Sequence, residues 1–218
     1  EVQCENGFPS VLEAQEELLS ITLKNHQNKK IVVWGIGDFE TDRDDITYIK
    51  CQSEVHLLKE FLIFWEKHQP DVITGWNTEF FDIPYICNRI KQLFGEDVRE
   101  REVYQMGRRH QTYIIAGVAA LDYYDLYRKF TYTAQESYRL DHIAKVELGE
   151  SKSGNPFDTF REWYTNDFQS FIEYNIQDVE IVDRLEDKMK LIELCLTMAY
   201  DGKVNFTDVL GSVRYWDI

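Results

Sequence analysis

The chain has 218 residues, of which 44% are hydrophobic, 29% charged and 14% aromatic, which is ordinary for one large globular domain or two small ones. Its formal net charge of −15 argues against a module that holds nucleic acid by a broad cationic face, because phosphate binding draws on lysine and arginine. No apolar run approaches ~18 residues and no charged-then-apolar leader opens the sequence, so neither a membrane span nor a signal peptide is expected.

The cysteines lack the paired spacing of a zinc site or of a disulfide framework. They are Cys4, Cys51, Cys87 and Cys195. We therefore expect reduced thiols and a cytoplasmic location. The sequence begins at Glu1 rather than at a methionine, so we expect a fragment of a longer protein.

The first third of the chain predicts three strands and then a helix. Residues 18–23 and 30–36 are apolar, β-branched runs on either side of a polar turn, a pattern typical of a hairpin. Residues 47–51 predict a third strand. Ser53 is typical of an N-cap, and the apolar residues after it predict an amphipathic helix to about residue 68.

Residues 72–85 combine a short apolar strand, a break at Gly75, an aromatic pair and the carboxylate of Asp82. A predicted helix over residues 83–94 follows, and Pro84 falls in its first turn, where a missing N–H does no harm. The positive end of the helix dipole keeps an aspartate at this place ionised. An ionised carboxylate on a strand–helix corner is a suitable ligand for a divalent metal.

Residues 99–118 predict a protruding β-hairpin, with a turn near residues 106–109 and a strand over residues 111–115. The predicted hairpin carries a group of basic residues, Arg99, Arg101, Arg108, Arg109 and His110. The composition leaves two interpretations open. One is a solvated surface hairpin, and the other is a basic finger directed at DNA.

The rest of the chain predicts a strand over residues 118–122 that leads into a helix, and a short helix over residues 137–146. A longer helix is predicted from residue 168 to about residue 185, and a further helix to about residue 199. The acidic residues of the long helix, Glu180, Asp183, Glu186 and Asp187, are expected to form a solvated face. Strands followed by alternating strands and helices predict an α/β fold with a mixed central sheet flanked by helices.

Two motifs, in order and with matching flanks, resemble those of family B DNA polymerases. The matching residues are Asn77, Phe81 and Asp82 in the second exonuclease motif, and Tyr174 and Asp178 in the third motif, Tyr-x-x-x-Asp. Residues 121–130 and 137–141, between the motifs, are also similar to the replicative polymerases of T-even-like phages. The resemblance runs from the first residue to about residue 217.

This resemblance implies a ribonuclease H-like 3′→5′ exonuclease domain over residues 1–204. Residues 205–218 would then form an extension toward a polymerase domain absent from this sequence. The implied activity is proofreading, in which the 3′-terminal phosphodiester of a single-stranded or frayed DNA primer end is hydrolysed with two divalent metal ions, Mg²⁺ or Mn²⁺. The implied partners are that DNA end and the polymerase domain, without a membrane. A phage-encoded chain would act in the host cytoplasm.

The family motifs imply that Glu1, Asp82 and Asp178 bind the metal ions, because carboxylates from distant segments suit a pair of hard cations. Tyr174 lies four residues before Asp178, on the same face of a predicted helix, and is implied to orient the attacking water. A tyrosine with a reference pKa of ~10 is a poor general base near neutral pH. Without the resemblance, a Tyr/Asp pair on an acidic helix is more simply a solvated face.

Glu1 matches only the glutamate of the first motif, Asp-x-Glu, and we expect the aspartate two residues upstream in the parent protein. This departure leaves open a non-catalytic DNA-binding or scaffolding role. A third possibility is an unrelated ribonuclease H-like nuclease that trims RNA. Further DNA contacts are implied at Asn77, Phe81, Arg108, Arg109 and Lys152. Alternatively, Phe81 belongs to the core and Asn77 braces its loop.

Overall fold

The computed structural model describes residues 1–3, 9–95, 103–105, 111–150 and 154–211. The chain divides into two compact units. The first unit comprises Glu1–Gln69, Tyr85–Glu100 and Lys152–Asp183, and the second comprises Pro70–Pro84, Arg101–Ser151 and Arg184–Ile218. Within the described ranges, no helix is both long enough and apolar enough to cross a membrane.

A mixed three-stranded sheet forms the centre of the first unit. Its strands are β1 (Ser20–Lys24), β2 (Ile31–Gly35) and β3 (Ile46–Lys50). β1 and β2 pair antiparallel, with Ser20 opposite Gly35, whereas β2 and β3 pair parallel, with Ile31 opposite Ile46. The predicted hairpin and third strand are confirmed, each within one or two residues of its predicted limits.

The helices of the first unit are α1 (Glu54–Lys67), α2 (Asp82–Phe94) from Tyr85 onward, α5 (Phe160–Asn166) and α6 (Phe168–Met189) as far as Asp183. Ser53 is the N-cap of α1, as predicted, and its side chain accepts the His56 N–H at 3.3 Å. Helix α5 was not predicted from the sequence, because it has only seven residues and follows a polar loop. Its cap is Thr159, whose hydroxyl accepts the Glu162 N–H at 3.1 Å.

The core of the first unit packs the sheet against α5 and α6. Its buried residues are Leu19, Ile31, Val33, Phe39, Trp163, Phe171, Ile172 and Ile176. The β-branched residues of β2 recur at strand spacing and the apolar residues of α6 at helix spacing. Each element therefore has an apolar face, and these faces pack together in this core.

A buried ion pair also belongs to the first unit. Glu54 and Arg89, which are 5% and 7% exposed, pair through Arg89 Nη2 and Glu54 Oε2, and Arg89 Nε donates to Glu54 Oε1 at 2.7 Å. Glu54 Oε1 also accepts the Leu18 N–H at 2.9 Å, and Arg89 Nη1 donates to the carbonyl oxygens of Ala14 at 2.9 Å and Gln15 at 3.2 Å. The pair therefore anchors the segment that leads into β1.

The second unit is built on a short parallel pair of strands and mainly on helices. Its elements include β4 (Val72–Ile73), β7 (Ala119–Ala120), α3 (Tyr123–Phe130), α4 (Leu140–Leu148), α7 (Leu191–Gly202) and a 3-10 helix (Phe206–Leu210). Val72 lies opposite Ala119 in the parallel pair. Lys129 Nζ donates to the carbonyl oxygens of Val209 at 2.7 Å and Leu210 at 2.8 Å, which fixes the 3-10 helix against α3.

Helix α2 begins at Asp82, one residue before its predicted start, and Gly95 ends it with a φ of +85°, a left-handed conformation that glycine adopts easily. Helix α4 begins three residues later than predicted. Ser137 is occupied in a local turn, where its hydroxyl accepts the Arg139 N–H at 3.3 Å. Lys190, with a φ of +57°, separates α6 from α7.

Two strands lie in the region of the predicted hairpin, β5 (Val103–Gln105) and β6 (Gln111–Tyr113), and they pair antiparallel. The basic residues predicted for it, Arg99, Arg101, Arg108, Arg109 and His110, lie outside the described residues. A protruding basic finger therefore stays a prediction. The coarse class, a mixed α/β fold with small sheets, is established.

Candidate functional site

The second-motif residues occupy a strand–turn–helix corner in the second unit. Asn77 is exposed and has a φ of +67°, a left-handed conformation that asparagine tolerates better than most residues. The Asn77 carbonyl accepts the Phe81 N–H at 3.1 Å, which closes the turn before α2. Asp82 is the first residue of α2 and is exposed, so its carboxylate lies at the positive end of the helix dipole.

Close contacts fix the path of this turn. A Cβ atom at Gly75 would lie 2.2 Å from Cγ2 of Thr78, so only glycine fits there while Thr78 keeps its position. The Trp76 Nε1–H donates to the Tyr138 carbonyl at 3.1 Å, and the indole lies edge-on to Tyr124, with ring centroids 5.8 Å apart. The turn before Asp82 is thus held by packing within the turn and by contacts with residues that follow it in the sequence.

Asp122 connects this turn to α3, and no function was predicted for it from the sequence. It is 1% exposed and is the N-cap of α3. Its Oδ1 accepts the N–H groups of Asn77 at 2.9 Å and Tyr124 at 3.0 Å, and its Oδ2 accepts the Glu79 N–H at 3.0 Å. An Asp before a predicted helix is a recognisable cap signal, but nothing in the sequence shows the two bonds to residues more than 40 positions away.

The carboxyl groups near this turn have perturbed pKa values. Burial, followed by the charges of Asp122 and Asp125, raises the pKa of Glu79 to about 7. Burial also raises the pKa of Asp122, although the backbone N–H groups of Glu79, Asn77 and Tyr124 act in the opposite direction. Near neutral pH, part of the Glu79 population is therefore protonated, which relieves the repulsion among these acids.

The third-motif residues lie on α6, in the part that belongs to the first unit. Tyr174 and Asp178 are four apart on one helix, as predicted, and both are half-buried. The Tyr174 ring lies against Trp163, with centroids 4.8 Å apart, and against Phe160 at 6.2 Å. The Trp163 Nε1–H donates to the Ser170 hydroxyl at 2.7 Å, so α5 fixes the tyrosine through a rigid indole.

Within the first unit, a buried polar contact links the third-motif helix to the strand beside Glu1. Asn175 Nδ2 donates to the Ser20 hydroxyl at 3.2 Å, and both side chains are buried. The backbone nitrogen of Glu1 donates to the Ser20 carbonyl at 2.8 Å, and the Glu1 carbonyl accepts the Leu19 N–H at 2.9 Å. Ser20 therefore contacts a residue of the third motif and, through its backbone, the glutamate matched to the first motif.

The solvated face predicted for the acids of α6 is wrong for two of them. Asp183 is 9% exposed and accepts bonds from Lys24 Nζ at 3.0 Å and Lys29 Nζ at 2.8 Å. Burial acts to raise the pKa of Asp183, but its bonds to Lys29, Lys24 and His26 hold that pKa below its ordinary value. In the second unit, Glu186 is 6% exposed and accepts two N–H groups at the start of α7.

Three predicted DNA contacts, Arg108, Arg109 and Lys152, lie outside the described residues. Their roles stay predictions. Of the residues matched to metal ligands, Glu1 and Asp178 belong to the first unit and Asp82 to the second.

Comparison with known proteins supplies the family. The sequence profile described as "DNA polymerase family B, exonuclease domain" matches residues 1–143, about two-thirds of the chain. The chain belongs to DNA polymerase family B, as its 3′→5′ exonuclease domain. The recognition made from the motifs is confirmed.

DNA polymerases of phages and of a polyhedrosis virus are among the relatives of this exonuclease domain. It is 38% identical to the DNA-directed DNA polymerase of Escherichia phage RB69, over 100% of this chain and 28% of that protein. It is 36% identical to the DNA-directed DNA polymerase of Enterobacteria phage T4, over 80% and 20%. Identity to the DNA polymerase of Orgyia pseudotsugata multicapsid polyhedrosis virus is 30%, over 79% and 19%. The chain thus spans less than a third of each relative.

Proposed function

We propose that this exonuclease domain removes nucleotides from the 3′ end of a DNA primer, single-stranded or frayed, as the proofreading module of a replicative DNA polymerase. The second-motif corner carries this proposal, because it places the exposed Asp82 at the first residue of a helix. Family membership and the names of the phage and viral relatives support DNA as the substrate.

We propose that Glu1, Asp82 and Asp178 hold two divalent metal ions. Their carboxylate oxygens are the hard ligands that Mg²⁺ and Mn²⁺ prefer, and the α2 dipole keeps Asp82 ionised, so this donor set fits such ions. When bound, the two ions supply a water of lowered pKa and stabilise charge on the leaving oxygen.

Tyr174 is assigned the orientation of the attacking water. Its ring is fixed by Trp163 and Phe160, and a fixed hydroxyl suits orientation better than proton abstraction. Phe81 is assigned a stacking contact with a base of the DNA end, and Asn77 a contact beside it. Arg108, Arg109 and Lys152 are assigned phosphate contacts, which a domain of charge −15 needs close to its substrate.

The finer architecture belongs to the same proposal. A ribonuclease H-like domain with one central sheet would comprise residues 1–204, and residues 205–218 would lead toward the polymerase domain. We propose the host cytoplasm as the place of action of a phage-encoded polymerase.

The test is a timed digestion of 5′-labelled single-stranded DNA with Mn²⁺, by this chain and by the chain lengthened upstream with the Asp-x of the first motif. The substitution Asp82→Ala is expected to reduce mononucleotide release at least 100-fold, and Tyr174→Phe about 10–100-fold. Asp201→Ala is the matched control, because Asp201 is an exposed aspartate on α7. Its rate is expected to stay within about twofold of the parent.

Two results would contradict the proposal. Absence of nucleotide release from the lengthened chain, with DNA binding intact, would favour a scaffolding role. Faster digestion of an RNA oligonucleotide than of DNA would favour an RNA-trimming nuclease instead.

A further inference from the structure

The bonds of Asp122 form a tertiary clamp as well as a helix cap. A helix cap needs only one acceptor for an N–H of the first turn, and the Tyr124 N–H fills that role here. The other two donors, Asn77 and Glu79, lie 45 and 43 residues earlier in the chain. One buried carboxylate therefore connects the start of α3 to the turn that carries the second motif.

The turn depends on such a clamp because its backbone is unusual. Asn77 has a φ of +67°, which is less stable than a right-handed conformation for any residue with a side chain. From there the hydrogen bonds lead directly to the helix start, since the Asn77 carbonyl accepts the Phe81 N–H and the Thr78 carbonyl accepts the Ile83 N–H at 2.9 Å. A shift at Asn77 is therefore transmitted to Asp82, which lies between the two donors.

We propose that Asp122 is a positioning residue for the exonuclease reaction. By accepting the Asn77 and Glu79 N–H groups, it fixes the direction in which the turn presents Asp82. This inference rests on the proposed role of Asp82 as a metal ligand. Asp122 acts through the backbone of the turn, and its burial keeps it away from solvent.

Substitutions can separate the clamp from the cap. Serine is as good an N-cap as aspartate, but its shorter side chain cannot reach a second and third donor, so Asp122→Ser keeps the cap and loses the clamp. Asparagine has one acceptor oxygen and one NH₂ group. Asp122→Asn therefore retains the bonds to Oδ1 and sets an N–H donor against the Glu79 N–H.

The experiment compares the parent with Asp122→Ser, Asp122→Asn and a control, Ser53→Ala, which removes a side-chain cap from α1. Three quantities are measured, namely kcat and KM on single-stranded DNA, Mn²⁺ affinity by electron paramagnetic resonance, and amide exchange at Asn77 and Glu79 by NMR. We expect Asp122→Ser to lower kcat and Mn²⁺ affinity about 10–100-fold, the usual effect of losing a residue that orients a ligand. KM is expected to stay within about twofold, and both amides to exchange at least tenfold faster.

Asp122→Asn should accelerate exchange at Glu79 more than at Asn77. Ser53→Ala should leave kcat, Mn²⁺ affinity and both amides unchanged, because α1 carries none of the proposed site residues. A kcat and an Mn²⁺ affinity within twofold of the parent in Asp122→Ser would overturn the inference, because the clamp would then be only structural. If no variant turns over DNA, the Mn²⁺ affinity alone decides. Full activity in Asp82→Ala would overturn the proposed ligand instead, and this outcome is distinct because it leaves the Asp122 clamp intact.

Discussion

The buried ion pair between Glu54 and Arg89 gives a prediction whose size follows from the structure. Arg89→Met keeps most of the side-chain volume but leaves the Glu54 carboxylate in a site where that residue is 5% exposed. It also removes the charged donors from the carbonyls of Ala14 and Gln15. Breaking a buried pair from one side costs about 3–5 kcal/mol, and we expect a loss in this range.

A double-mutant cycle tests whether this loss of stability is caused by the buried Glu54 charge that Arg89→Met leaves without its partner. Glu54→Gln retains an acceptor oxygen for the Leu18 N–H and removes the charge, so we expect it to cost about 2–3 kcal/mol. The double variant with Arg89→Met has no buried charge left. Its loss should therefore fall short of the sum of the single losses by about 2 kcal/mol or more.

The assay is urea unfolding followed by circular dichroism, with free energies extrapolated to water. Lys50→Met is the matched control, because Lys50 pairs with Asp38 at the surface, where their side chains are 58% and 88% exposed. That pair should contribute less than about 1 kcal/mol. The reasoning is refuted if Arg89→Met costs no more than Lys50→Met, or if the losses in the cycle simply add.

Two further predictions concern the candidate site. The raised pKa of Glu79, caused by burial and by Asp122 and Asp125, means that the folded chain binds more protons than the unfolded chain between about pH 4.5 and 7. The free energy of unfolding should therefore fall as the pH rises through that window. Relative to the parent, Glu79→Gln should gain about 1 kcal/mol between pH 4.5 and pH 8, after a discount for partial exposure. Equal pH dependence of the two proteins in urea titrations would contradict this. Asn175→Ala should cost about 1–3 kcal/mol, because it leaves the buried Ser20 hydroxyl without its donor. In thermal unfolding, the double variant with Ser20→Ala should recover part of that loss, and strictly additive losses would contradict the prediction.

Elements with a strong local signal were predictable from the sequence. Helix α1 combines Ser53 as a cap with apolar residues at helical spacing, and α2 ends at Gly95, so both were predicted within one or two residues. The short helix α5 was missed because seven residues give less than two full periods. The parallel pairing of β2 with β3 was not predicted either, since the order of strands in a sheet is decided by tertiary packing.

The same distinction applies to the candidate site. The sequence indicated Asp82, Tyr174 and Asp178 because they fall in two motifs that occur in the family's order, Asp82 just before a predicted helix and the other two on one. It gave no function to Asp122 and no contact for Ser20, because their bonds join residues 43 to 155 positions apart. Such bonds produce no periodic pattern in the sequence, and the sequence alone does not distinguish a buried aspartate from a solvated one.

The residues of the candidate site form an exposed group and a buried group, and substitutions in the two groups should have different effects. Asp82 and Asn77 are exposed, whereas Asp122 and Ser20 are 1% and 0% exposed. Replacing an exposed residue that holds a metal, the role proposed for Asp82, removes chemistry and little packing, so activity should fall while the free energy of unfolding stays nearly constant. Replacing a buried holding residue removes hydrogen bonds that the fold also uses, so both quantities should fall together. The ratio of the two losses therefore distinguishes a residue that performs the reaction from one that positions it, even where both are needed for full activity.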